Sequence, residues 1–83
     1  MTASQTHALV KKILVERFAI NLASIHPNTD LQKELKLDSM DAMDLLLAVN
    51  ETFSIQLPEQ VLTNIHTVGE LVDCIEKYNQ NKS

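Results

Sequence analysis

The chain holds a single glycine, Gly69, among its 83 residues. Sheets built from short antiparallel strands need many tight turns, and those turns favour residues that take positive φ without strain. One glycine and two prolines supply few of them, which argues against an all-β fold and for a helical one. A hydrophobic content of 45% belongs to a globular chain rather than a disordered or low-complexity one. The length limits it to one domain with a modest core, too short for a dinucleotide fold or a barrel.

Four segments carry helical signals. The first runs from about Ala3 to Ala19 on the stripe Val10, Ile13, Leu14 and Phe18, with Arg17 projecting on the same side. A long loop follows, marked by Pro27 and Asn28-Thr29-Asp30, with Leu31, Leu35 and Leu37 available to pin it and a short helical turn expected near Leu31 to Leu35. The second helix is expected from Asp38-Ser39 to about Phe53, because either residue can cap it and Asp41 favours the positive end of its dipole. Pro58 suits the first position of a short third helix ending near Asn64. Thr67-Val68-Gly69-Glu70 is a capping box, opening a fourth helix to about Tyr78 on the stripe Val68, Leu71, Val72, Ile75 and Tyr78. The expected architecture is an all-α, small four-helix bundle over residues 1–78, with residues 79–83 a flexible C-terminal tail.

The net charge of −4 conceals a block. Residues 1–37 carry a net +2, whereas residues 38–76 hold eight acidic groups and no basic one, and the tail returns +2. Such a stretch is either a face that meets a basic partner or an ordinary solvated surface. The acidic balance disfavours nucleic acid: only Lys11, Lys12 and Arg17 cluster, without aromatic stacking residues. The first residues show no charged segment followed by an apolar run, and the longest apolar stretch, Leu45 to Val49, is too short to span a membrane. Cys74, the sole cysteine, cannot form an intramolecular disulfide. A cytoplasmic monomer is expected.

The second helix has more apolar surface than a bundle needs. At about 100° per residue, Ala42, Leu45, Leu46, Val49 and Phe53 share one arc. Met40, Met43 and Leu47 fall on another, with Ser39 and Asn50 at its inner edge and Asp44 and Glu51 on its far side. The second arc packs beneath the long loop and a neighbouring helix, or it docks partners, a use that suits flexible, polarizable methionine.

The run Leu35-Lys36-Leu37-Asp38-Ser39-Met40, with Asp41-Ala42-Met43-Asp44-Leu45-Leu46-Leu47-Ala48-Val49-Asn50-Glu51 and Phe53 behind it, resembles the acyl carrier protein family. That family carries Asp-Ser-Leu or Asp-Ser-Met at the start of its second helix. Ile55-Gln56-Leu57-Pro58-Glu59 and Thr67-Val68-Gly69-Glu70-Leu71-Val72 are similar to two further family segments, so the resemblance covers essentially the whole chain. It implies that Ser39 receives 4′-phosphopantetheine from coenzyme A, placing a phosphodiester beside a helix N-terminus, where an anion is favoured. The competing role for Ser39 is a plain helix cap. The resemblance further implies a carrier, not an enzyme, that holds acyl groups as thioesters for fatty acid or related acyl biosynthesis. Its partners would be a phosphopantetheinyl transferase and acyl-transferring or acyl-modifying enzymes with basic patches. Asp38, Asp41, Asp44 and Glu51 would meet those patches, and Met40, Met43 and Leu47 would pack beside the arm. Phe53, Val61 and Ile75 on the inner side would be available to enclose a short acyl chain.

Two departures from the family pattern point toward a specialised carrier for an aminoacyl, D-alanyl or polyketide step. Lys36 stands where the family often has glycine, and Glu59 is the only acid from Pro58 to His66. A different class, a helical interaction adaptor without a prosthetic group, also fits the composition. His7, His26 and His66 lack metal-ligand spacing, so no metal is expected. Cys74 sits one step from the fourth helix's stripe, as a structural thiol would.

Overall fold

A computed structural model describes residues 3–82 of the backbone and, for side chains, residues 5–79. Three α-helices and two 3₁₀ turns make up its regular structure: α1 (Ala3–Phe18), a turn at Leu22–Ser24, α2 (Ser39–Phe53), a turn at Glu59–Thr63 and α3 (Val68–Lys82). Among the described residues there is no strand, only an isolated bridge between Asp30 and Thr67. The all-α expectation holds, but the third of the four expected helices is a 3₁₀ segment.

The reason lies in length and capping. The Glu59–Thr63 segment has five residues, and its Pro58 cap makes no side-chain hydrogen bond. It closes with bonds between residues three apart, from the Val61 amide to Pro58 and from the Asn64 amide to Val61. A segment this short cannot offset the nucleation cost of an α-helix, whereas tighter turns are common at such lengths. Pro58 therefore precedes the first helical residue rather than occupying it.

Other boundaries shift for similar reasons. Residues 31–35 form turns rather than a helix, closed by Glu34 and Leu35 amides on the Asp30 carbonyl. α3 continues past Tyr78 to Lys82, because extending an existing helix costs little. The residues expected as a tail are thus helical up to Lys82, and Ser83 lies outside the described residues.

Most of the core comes from the stripes read from the sequence, with Phe18 and Tyr78 only partly buried at its edge and Ile55 and Leu57 added from the chain leaving α2. Val10, Ile13 and Leu14 of α1, Leu45, Leu46, Val49 and Phe53 of α2, and Val68, Leu71, Val72 and Ile75 of α3 are all buried. α1 packs against both other α-helices. Leu31 and Leu37 pin the long loop as expected, joined by Ile25, while Leu35 packs at the margin.

The loop is also held by backbone. The Val68 amide donates to the Thr29 carbonyl (3.1 Å), Gly69 to Pro27 (2.8 Å) and Leu31 to His66 (2.9 Å). The Glu70 amide donates to Thr67 Oγ1, and Glu70 Oε1 accepts from the His66 and Thr67 amides, completing the predicted capping box. Loop carbonyls and the box together satisfy the first-turn donors that an α-helix leaves unpaired. This clasp fixes the far end of the loop, and so sets where the near end delivers Asp38 and Ser39.

Candidate functional site

The near end of the loop turns into α2 through Lys36, whose φ of 58° lies in the left-handed region. Leu37 then drops into the core, and Asp38, with extended backbone, caps the helix. Asp38 Oδ1 accepts from the Asp41 amide at 2.8 Å, and Asp41 Oδ2 accepts from the Asp38 amide at 3.4 Å. Aspartate thus fills both roles of a capping box. The plain-cap alternative for Ser39 does not hold: the cap is Asp38, and exposed Ser39 is the first residue inside α2.

Of the apolar outer arc, Met40 is 81% exposed and Leu47 55%, so neither packs beneath the loop or a neighbouring helix. Met43 is half-buried. Asp38 and Glu51 are exposed, while Asp41 and Asp44 are partly covered. Met40, Met43, Leu47, Asp44 and Glu51 therefore flank one exposed strip of α2 that begins at Ser39. Ala48, absent from the predicted inner arc, is buried, whereas Ala42 is only half-buried.

Three features of this region escape the periodicity of the sequence. Arg17, out of register on α1, reaches across to Asp44, with Nη2 3.4 Å from Oδ1. Its awkward position was the one available signal: a long cationic side chain at the edge of a packed face can lie along it and place its head in water. Asn50 bonds the Leu57 backbone in both directions, Oδ1 accepting at 3.0 Å and Nδ2 donating at 3.3 Å, which ties the chain leaving α2 to the helix itself. Nothing local marks that role. The strained φ at Lys36 is legible only through the comparison with glycine.

An apolar cavity of about 50 Å³ lies between α2, the loop and the second 3₁₀ turn, lined by Leu31, Ala42, Leu45, Leu46, Leu62 and Ile65 among others. Phe53, Val61 and Ile75, expected to enclose an acyl chain, do not line it: Phe53 and Ile75 are core, and Val61 faces a separate groove with Cys74. Burial raises the Cys74 thiol pKa, which disfavours the nucleophilic thiolate. Among the described residues no group of three or more His, Cys, Asp or Glu could hold a metal ion, and no helix is long and apolar enough to cross a membrane.

A phosphodiester fits the geometry at Ser39. The hydroxyl is exposed and outside the cap, at the positive end of a 15-residue helix, with Lys36 three positions earlier. Asp38 and Asp41 oppose an anion there, but the paired cap holds both carboxylates on backbone amides. Residues 8–75, which contain all three core stripes, the clasp and this corner, match the model for the phosphopantetheine attachment site, and the chain belongs to that family of carrier proteins with covalently attached 4′-phosphopantetheine.

Proposed function

We propose that this protein is an acyl carrier whose attachment residue is Ser39. The observation that carries the reading is the exposed Ser39 hydroxyl, left outside the cap at the start of α2, within a chain that matches the family over residues 8–75. Ser39 Oγ forms the new bond to phosphorus as the phosphoanhydride of coenzyme A breaks. Adenosine 3′,5′-bisphosphate leaves, and a base on the transferase takes the serine proton. When bound, the group supplies a thiol that carries acyl cargo as a thioester. The chain presents Ser39 and its surroundings, and the enzymes it meets perform the chemistry.

Met40, Met43 and Leu47 give those enzymes an apolar strip, and Asp38, Asp41, Asp44 and Glu51 give them a negative margin that suits a basic patch. The chain serves as one carrier domain, with α3 continuing to Lys82, acting as a cytoplasmic monomer. The carrier serves fatty acid or related acyl biosynthesis; the alternative, a dedicated aminoacyl, D-alanyl or polyketide step, is supported by Lys36 beside the attachment site and by Glu59 as the only acid from Pro58 to His66.

Intact mass after incubation with coenzyme A and a phosphopantetheinyl transferase tests the assignment. Wild type gains one phosphopantetheine and Ser39→Ala gains none. Failure with several active transferases would favour an adaptor without a prosthetic group.

A further inference from the structure

The negative margin of α2 is less available than its sequence implies. Asp38 and Asp41 are committed to each other's backbone in the cap. Asp44 is paired with Arg17, the side chains being 47% and 49% exposed respectively. That pair places a positive charge from α1 beside the strip whose apolar members are Met40, Met43 and Leu47. Resting on the carrier reading, we propose that Arg17 is a specificity-determining residue: an intramolecular counter-ion that competes with a partner's cation for Asp44 and thereby weakens docking.

The physics sets the size and sign of the effect. Arg17 lies in the last turn of α1, where the helix dipole favours a cation whether or not Asp44 is free. Its displacement therefore forfeits the pair but not that second attraction. An exposed pair of this kind shifts an equilibrium by about 1.5- to 5-fold, enough to rank partners without blocking any. Partners with a single cation opposite Asp44 are handicapped most. Those that engage Glu51 or the apolar strip are handicapped least.

The test is steady-state transfer of phosphopantetheine to the full chain at low and high salt. Arg17→Gln should lower KM for the carrier by about 1.5- to 5-fold at low salt with kcat unchanged, and the gain should shrink as salt screens it. Arg17→Lys, which keeps the charge, should stay near wild type. In an Asp44→Asn background the Arg17→Gln change should have no effect on KM. A KM that rises on Arg17→Gln would mean partners bind Arg17 directly and would overturn the proposal, as would an unchanged KM or a gain that persists without Asp44. If intact mass shows that no variant, wild type included, is modified by any active transferase, the carrier reading falls and this inference with it.

Discussion

The Gly69 amide donates to the Pro27 carbonyl at 2.8 Å, and a β-carbon on Gly69 would sit 2.9 Å from that same oxygen. The chain's only glycine does not have positive φ. It is needed for close approach, where loop backbone lies against the first turn of α3. Gly69→Ala gains helix propensity of at most about 1 kcal/mol. It must also move a backbone carbonyl in a hydrogen-bonded clasp, an overlap that costs about 1–3 kcal/mol. The cost should prevail, with a net loss of up to about 2 kcal/mol in urea unfolding and a thermal midpoint lowered by up to several degrees. A variant as stable as wild type would refute the close-approach account.

Lys36 presents the opposite case, a left-handed residue that is not glycine. An L-residue there carries a cost of about 1–2 kcal/mol, part of which glycine returns through its greater unfolded-state entropy. Lys36→Gly should therefore stabilise the fold by about 0.5–1 kcal/mol. Lys36→Ala removes the charge but keeps the β-carbon, and should change stability little. Equal gains from the two substitutions would assign the effect to charge instead.

Asn50 is the tie between α2 and the chain leaving it. Asn50→Ala leaves the Leu57 amide and carbonyl without their partner in a partly buried setting. The cost of such unsatisfied groups is about 1–3 kcal/mol. Faster hydrogen exchange at the Leu57 amide should accompany the loss. Protection equal to wild type would mean that another group replaces Asn50.

Acid should loosen the clasp. Hydrogen bonds from the His66 and Thr67 amides hold the Glu70 carboxyl below its ordinary pKa, and bonds from the Lys33 and Gln32 amides do the same for Asp30. A carboxylate whose pKa is depressed on folding stabilises the native state above its unfolded pKa, and that contribution is lost as pH falls through the folded value. Glu70→Gln should thus melt below wild type at neutral pH, and the two melting curves should converge only once pH falls below the depressed pKa of the folded carboxyl. A gap that stays constant across that range would rule out the ionic contribution.

Charge reversal tests the proposed docking role of the α2 acids. Asp41→Lys combined with Asp44→Lys should slow modification of Ser39, most at low ionic strength, with thermal melts confirming that the variant is folded. Equal rates for variant and wild type at every salt concentration would remove the acidic residues from docking.

Much of this molecule is legible without coordinates because helices write their packing into local spacing. The stripes of α1, α2 and α3, the Thr67–Glu70 box and the outer arc at Met40 and Leu47 follow from 3.6-residue periodicity and capping chemistry. The extent of the third element was less legible, since Pro58 signals a start but not whether five residues can nucleate an α-helix.

Gly69 marks the division between the two kinds of information. By its rarity it argued against a sheet, and that inference needed only the sequence, because turn demand scales with strand number. Its position at the clasp could not be read there, because Pro27 and Gly69 lie more than forty residues apart and meet only when loop and helix pack. The same holds for Arg17 with Asp44 and for Asn50 with Leu57. Local spacing decided which faces exist and where Ser39 begins a helix. Contacts across the fold decided that Asp44 of that helix carries an intramolecular counter-ion, because Arg17 reaches it only once α1 and α2 pack.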